Sequence, residues 1–295
     1  MRNHTQKNKT LEAITGYLFI APWLFIFLTF ILFSLVYAIY LSFTRYNLLS
    51  PAQWWGVEGY KRVLTDSLFL EQALPNTFKY VLIVVPIQTA VSLVLAFAMD
   101  QKLRFRRLFR TVFYLPSVTS SVVISLIFVW LFAAQGVFNQ ILGLNVNWLN
   151  NVKTAFYVIM GMNIFTTSGT LMLIFLSGLQ DIPETLYEAA RIDGADALQI
   201  FWNITIPMLR PIIFFVVTVG VIGCFQVFDQ IYIMTSGGPL DSTTTITYLI
   251  YKWAFRDTTV KMGQASALAV VLTLIILGVT MLQRRIIEGS GTSNQ

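Results

Sequence analysis

DIPETLYEAARIDGADALQIFWNITIPMLRP, from Asp181 to Pro211, is the one long polar segment with a helical pattern, and it lies between strongly apolar stretches. Pro183 suits the start of a helix, because the amide proton that proline lacks would be unpaired there anyway. Good helix formers continue to Asp193–Gly194, where glycine closes a helix with the least strain. A second helix is expected from Asp196 to about Asn203, ended by Pro207 and Pro211. The sequence therefore predicts a helix-turn-helix outside the bilayer, called the elbow below and taken as residues 179–210.

The elbow combines small residues with a few large aromatic ones. Small residues allow another protein's backbone to approach closely, and aromatic side chains anchor in grooves. We interpret the elbow as a docking plug; the alternative is an amphipathic loop lying on lipid headgroups. The small residues are Ala189, Ala190, Gly194, Ala195 and Ala197, and the aromatic ones are Tyr187, Phe201 and Trp202.

The composition is that of a membrane protein. Of the 295 residues, 56% are hydrophobic and 12% are charged, which is too apolar for a soluble globule. The formal charge of +6 comes from residues that flank apolar stretches, so anionic lipid explains it better than nucleic acid does. The chain has a single cysteine, Cys224, which excludes an intrachain disulfide and a metal site made of cysteines. Its single histidine, His4, excludes most kinds of histidine catalysis. No bound metal or cofactor is expected.

Six apolar stretches are long enough to cross a bilayer core, which requires roughly 20 helical residues. We therefore predict an all-α integral membrane protein with six transmembrane helices and the elbow between the fourth and the fifth. The intervening residues 45–76 are predicted to form a loop with interfacial aromatic residues. The predicted spans are 16–43, 77–99, 111–134, 154–178, 211–234 and 264–282.

The loop QKLRFRRLFR, residues 101–110, fixes the predicted orientation. It carries five positive charges, and such clusters stay on the cytoplasmic side. With six spans, the elbow and both tails, residues 1–15 and 286–295, then also lie in the cytoplasm. Residues 16–285 form a single membrane domain.

Polar side chains inside the predicted spans are candidates for a substrate pathway, because they are costly in lipid unless they face a cavity or a partner helix. Asn163 lies near mid-membrane, and its amide offers both donors and an acceptor to sugar hydroxyls. For the serines and threonines, helix packing is the alternative, and for Asp229 it is a paired or solvated structural role. The candidates are Asn163, Thr166, Thr167, Ser120, Ser121, Gln226 and Asp229.

EAARIDGA, from Glu188 to Ala195, followed by Phe201 and Ile206–Pro207, resembles the cytoplasmic EAA signature of permease subunits of binding-protein-dependent ABC importers. The resemblance implies that the elbow inserts into a cleft on an ATPase subunit. It also implies the coupling positions, which are Tyr187, Glu188, Ala189, Ala190, Asp193, Gly194 and Ala195.

Further stretches resemble the carbohydrate-uptake branch of that family, with its maltose-type and glycerol-phosphate-type permeases. They include FRRLFRTVFYLP from Phe105, FLSGLQDIP from Phe175, FDQIYIMTSGGP from Phe228 and GQASALAVVL from Gly263. The resemblance implies a bacterial cytoplasmic membrane, a second permease that is a different chain, and two ABC ATPases that bind ATP and Mg. It also implies an extracytoplasmic sugar-binding protein.

The chain has no G-x-x-x-x-G-K-[ST] phosphate loop, so it does not bind ATP by that route. The leading hypothesis is a non-catalytic conduit in which partner ATPases move the elbow as a rigid lever and thereby switch the spans between two states. The alternatives are a permease for another solute such as glycerol phosphate, an ion-coupled secondary transporter, and a membrane enzyme acting on lipid. The last of these lacks a clustered catalytic constellation.

Overall fold

The computed structural model describes residues 15–101, 104–257 and 261–289, and most of them are helical. Residues 1–14 and 290–295, most of the two predicted tails, lie outside this description. Two short strands, β1 (Thr44–Arg45) and β2 (Gln53–Trp54), pair antiparallel with Thr44 opposite Trp54. The helices are α1 (Thr15–Ser42), α2 (Glu58–Thr65), α3 (Phe69–Asp100), α4 (Arg106–Val118), α5 (Ser121–Leu131), α6 (Val137–Leu142), α7 (Ala155–Gln180), α8 (Glu184–Ile192), α9 (Ala197–Phe225), α10 (Asp229–Met234), α11 (Ile246–Tyr251) and α12 (Met262–Gly289).

Five helices in the described part of the chain are long and apolar enough to cross a membrane: α1, α3, α7, α9 and α12. The pair α4 and α5 would make a sixth span if it crosses as one broken unit. The chain is therefore a mostly helical protein with several apolar spans, as expected. The last helix is longer than predicted and continues through residues 286–289, which the sequence assigned to a tail.

One compact unit consists of the described residues up to Val63 together with those of Trp253–Val270. It contains α1, the β1–β2 ribbon, most of α2 and the start of α12. Gly263 lies so close to the ribbon that an added Cβ would be 2.0 Å from the Thr44 carbonyl oxygen. Its amide donates to the Tyr46 carbonyl at 3.2 Å. The predicted loop at 45–76 is thus wrong in part, because it holds both strands, α2 and the beginning of α3.

The second unit consists of Leu64–Lys252 and the described residues after Val270. Its core lies where α3, α7 and α9 meet, and it includes Met99, Met172, Phe175 and Leu209, all 3% exposed or less. The helix α7 is central, because it packs on α3, α4 and α9. A long apolar helix that is covered on several sides needs apolar residues all round, which is what its sequence provides.

The third predicted span, 111–134, is not one helix. It is divided into α4 and α5, which meet at an angle of 98° near Thr119 and Ser120. Pro116 lies in the last turn of α4, where it removes a backbone donor, and the Thr119 hydroxyl donates to the Leu115 carbonyl at 2.8 Å. The Leu115 carbonyl at the end of α4 is thus satisfied locally by the Thr119 hydroxyl.

The prediction that Pro207 and Pro211 separate the elbow from the fifth span is wrong. Helix α9 runs without a break from Ala197 to Phe225 and contains both prolines. A π-helical turn at Phe201–Thr205 precedes Pro207, and such a turn changes the hydrogen-bond register where the proline ring would otherwise clash. The second arm of the elbow is therefore the beginning of the helix that contains the predicted fifth span.

The fifth span was predicted to cover residues 211–234, and its predicted end at residue 234 is also wrong. Helix α9 ends at Phe225, and Asp229 starts the separate helix α10. Threonine hydroxyls stabilise the break: Thr247 donates to the Phe225 carbonyl at 3.1 Å and Thr245 to the Val227 carbonyl at 3.3 Å. Gln226 and Asp229 therefore lie in and after a break and not inside a continuous span.

Candidate functional site

The elbow turn is held by two capping motifs in consecutive residues. Gly194 has φ +81°, and the amides of Gly194 and Ala195 donate to the carbonyls of Arg191 and Ala190 at 3.1 and 2.9 Å, which is a Schellman motif. Asp196 then caps α9: its carboxylate accepts from the Gln199 amide at 2.7 Å, while the Gln199 side chain accepts from the Asp196 amide at 2.9 Å. The turn between α8 and α9 is thus fixed by local hydrogen bonds.

The predicted coupling residues occupy this turn and the helix before it. Glu188, Ala189, Asp193 and Gly194 are exposed, whereas Ala190 and Ala195 are half-buried. Tyr187 packs against the core of its own unit, and its hydroxyl lies 3.4 Å from the Thr205 hydroxyl.

The exposed apolar side chains of the elbow differ in part from those expected. Phe201 packs on Phe97 with ring centroids 5.2 Å apart, so it is not free to anchor a partner. Trp202 and Leu198 are exposed, and so is Ile192, which the sequence did not single out. These three large apolar side chains form an exposed apolar patch around the elbow turn.

A second site is a cavity of about 310 Å³ between α4, the start of α5, α7 and α10, which has polar side chains in a lining surface that is mostly apolar. It brings together polar residues from the third, fourth and fifth predicted spans. Of the predicted pathway residues, Ser121, Thr166 and Thr167 line it. The other polar lining residues are Ser117, Thr119, Thr170 and Gln230, and the apolar ones are Pro116, Met162, Leu171 and Val219.

The remaining predicted pathway residues lie beside this cavity or away from it. Asn163 is 8% exposed and sits one helical turn from Thr166 and Thr167, with its side-chain oxygen buried and without a hydrogen-bond partner among the described residues. Asp229 accepts a hydrogen bond from the Ser121 hydroxyl. Ser120 and Gln226 are exposed at the two helix breaks and do not line the cavity.

Gln88 is a polar residue of the site that the sequence reasoning missed. It is 1% exposed on α3, and its side-chain oxygen accepts from the Thr167 hydroxyl at 2.8 Å. A Cβ added to Gly220 would lie only 2.5 Å from the side-chain amide nitrogen of Gln88. Gln88 therefore links α3, α7 and α9 next to the cavity. A glutamine inside an otherwise apolar span was the signal that could have found it.

Comparisons with known proteins agree with this architecture. A family model described as "Binding-protein-dependent transport system inner membrane component" matches residues 88–288, more than half of the chain. The probable ABC transporter permease protein YesP of Bacillus subtilis (strain 168) is 35% identical over 92% of this chain and 89% of that protein.

The arabinooligosaccharides transport system permease protein AraP of Halalkalibacterium halodurans is 33% identical over 95% of this chain and 92% of that protein. A chain in the crystal structure of a bacterial alginate ABC transporter, in complex with an alginate pentasaccharide-bound periplasmic protein, matches with a TM-score of 0.82. That match covers 95% of this chain and 96% of the other at 19% identity, so it shows the shared fold.

Proposed function

Because the chain belongs to the family of binding-protein-dependent transport system inner membrane components, we propose that it is the permease subunit of an ATP-driven importer for a sugar or oligosaccharide. The family consists of non-catalytic permease subunits, so ATP is hydrolysed elsewhere. A relative named for arabinooligosaccharide transport supports the carbohydrate class. The cavity of about 310 Å³ is large enough for a small solute, because it falls at the lower end of the roughly 300–1,000 Å³ of ligand pockets.

We propose that the elbow couples this permease to an ATPase. The observation that carries this proposal is a turn fixed at both ends by capping motifs, with exposed Ile192, Leu198 and Trp202 beside it. A rigid turn transmits displacement, and apolar side chains in water favour burial in a partner. Because α9 continues from the elbow into the membrane, a push on the elbow would move a helix that packs on α7 next to the polar cavity.

The proposed topology has six spans, with α4 and α5 crossing as one broken span, and both termini in the cytoplasm. The arginine-rich segment at and before the start of α4 supports this orientation, since Arg104 and Arg107 are exposed. The elbow then faces the cytoplasm of a bacterial cell. The proposed assembly adds a different second permease, two ABC ATPases that bind ATP and Mg, and an extracytoplasmic sugar-binding protein.

The proposed pathway runs along the cavity and its neighbours. Asn163, Thr166, Thr167, Ser120, Ser121, Gln226 and Asp229 are the proposed contact residues, and Gln88 joins them as a positioning residue. The support for the pathway is that polar groups from α4, α5, α7 and α10 converge on one cavity, since polar side chains inside apolar spans are costly unless they face a cavity or a partner helix.

Uptake by the reconstituted assembly tests the proposal. Liposomes that contain this chain, its companion permease and the two ATPases should accumulate oligosaccharide only with internal ATP and external binding protein. Glu188→Lys should abolish this uptake, while Glu71→Lys, a reversal of an exposed charge outside the elbow, should not. Uptake by this chain alone, driven by an ion gradient, would instead support a secondary transporter.

A further inference from the structure

Hydroxyl groups dominate the polar wall of the cavity between α4, α5, α7 and α10, and the direction of their hydrogen bonds decides what they can still do. A serine or threonine hydroxyl has one proton to donate and two lone pairs that accept. Once the proton is used within the protein, the hydroxyl presents only acceptors to a ligand. The cavity contains six such hydroxyls and one amide, that of Gln230.

Five of the six hydroxyls donate their proton inside the protein. Three of them donate to carbonyls of their own helix: Ser117 to Tyr114 at 2.7 Å, Thr119 to Leu115 at 2.8 Å, and Thr166 to Asn163 at 3.0 Å. The other two have side-chain acceptors, which are Asp229 for Ser121 and Gln88 for Thr167.

The hydroxyl protons of Ser121 and Thr167, which go to side-chain acceptors, are the least available to a ligand. A carboxylate oxygen of Asp229 accepts from the Ser121 hydroxyl, and hydrogen bonds to a carboxylate are charge-assisted. Thr167 has two acceptors at the same distance of 2.8 Å, the Gln88 oxygen and the Asn163 carbonyl, and one proton for both. Whichever acceptor holds the proton, the Thr167 hydroxyl has none left for a ligand.

The charges around the cavity also disfavour a ligand that can only accept hydrogen bonds. None of the described lining residues is charged, and one of them, Ser121, is hydrogen-bonded to the carboxylate of Asp229. A carboxylate or phosphate can only accept at neutral pH, so it would face five acceptor groups without a cation to offset them. A sugar hydroxyl can donate to each of them, while Thr170 and Gln230 remain available as donors.

We propose that this cavity selects its ligand by hydrogen-bond polarity: it takes neutral, hydroxyl-rich saccharides and rejects saccharides or polyols that carry a carboxylate or a phosphate. The inference rests on the proposed permease function and deepens it, because it separates a neutral-sugar permease from one for glycerol phosphate.

Equilibrium binding to the purified complex of permeases and ATPases, without binding protein, tests the inference independently of which sugar is delivered. The probes are arabinotriose and maltotriose against trigalacturonate and glycerol 3-phosphate. At least one neutral probe should bind, and each acidic probe should bind roughly tenfold more weakly or not at all. Acidic probes that bind as tightly as neutral ones, or no binding by any probe, would overturn the inference.

Variants at Thr166 sharpen the test, because its proton goes only to backbone and its removal leaves no side chain unpaired. Thr166→Val should weaken binding of the neutral probe roughly tenfold and Thr166→Ser should restore it. Thr166→Lys should shift the preference towards trigalacturonate, which a purely structural role would not do. Thr280→Val is the control, because that hydroxyl also donates to its own helix but lies outside the cavity.

Unchanged neutral binding by Thr166→Val would also refute the selection mechanism. The uptake assay keeps the two proposals apart. ATP-driven uptake of an acidic sugar would leave the permease function standing and refute the selection. If the reconstituted assembly took up no saccharide in the presence of ATP, the proposed permease function itself would be refuted.

Discussion

The elbow turn and the polar cavity are built in opposite ways. The turn depends on hydrogen bonds between residues 190 and 199, and its side chains are largely exposed. The cavity depends on side chains from helices more than a hundred residues apart, such as Ser121 and Asp229, and on a buried link through Gln88. Changes in the elbow should therefore impair coupling with little loss of global stability. Changes around the cavity should reduce stability or ligand binding.

The largest effect is expected where α4 touches α7 beside the cavity. A Cβ on Gly169 would lie 2.2 Å from the Phe113 carbonyl oxygen, so Gly169→Ala must force the helices apart. We expect the free energy of unfolding to fall by about 1–3 kcal/mol, measured by thermal unfolding in detergent. Gly161→Ala is the control on the same helix, because nothing lies within 4 Å of its added methyl group. Equal losses in both variants would contradict the packing account.

The next effect concerns the elbow turn. Gly194 has φ +81° with open space around it, so Gly194→Ala adds backbone strain of about 1–2 kcal/mol without a clash. ATP-driven uptake should fall at least several-fold, while the unfolding midpoint of the assembly changes little. Gly143→Ala is matched, because Gly143 has φ +64° and equally open space at the end of α6. ATP-driven uptake by the Gly143→Ala variant should stay normal. An equal loss of uptake in this variant would mean that backbone strain at any position reduces uptake.

A smaller effect is expected for the link between Gln88 and Thr167. A double-mutant cycle with Gln88→Leu and Thr167→Val should give a coupling of about 1 kcal/mol in unfolding free energy, because the two side chains share a hydrogen bond inside the bundle. Additive losses would show that the 2.8 Å contact contributes nothing.

The smallest effect is expected at the cap of α9. Asp196→Ala removes the carboxylate that accepts from the Gln199 amide, at a local cost of about 0.5 kcal/mol. Amide hydrogen exchange in the first turn of α9 should become faster, whereas exchange in the α7 core should not change. Asp196→Ser keeps a capping oxygen and should restore protection. Faster exchange in α7 would mean that the turn is not independent of the bundle.

The same contrast explains what the sequence could predict. Local features were predictable: the helix before Asp193, the closing role of Gly194, and most apolar spans follow from composition and residues close in sequence. Features that depend on partners distant in sequence were not. The break after Phe225 needs hydroxyls from Thr245 and Thr247, and the continuity of α9 through Pro207 needs a π-helical turn.

The site divides in the same way. Ser121, Thr166 and Thr167 were predictable as polar residues in apolar stretches, and the structure brings them to one cavity. Gln226 and Asp229 were placed wrongly within a span because the helix end was not visible in the sequence. Gln88 was missed because its importance depends on contacts with α7 and α9 that only the folded chain provides.

Cross-linking from the elbow tests the central claim, that the exposed turn docks on an ATP-hydrolysing partner, most directly. Cys224 is the only cysteine, so Ala189→Cys in a Cys224→Ala background places a single thiol on the exposed face of α8. With the complete assembly in native membranes, a bifunctional thiol reagent should join this chain to the ATPase subunit. A thiol that instead reacts with a membrane-impermeant reagent outside intact cells, or that never cross-links to the ATPase, would contradict the account.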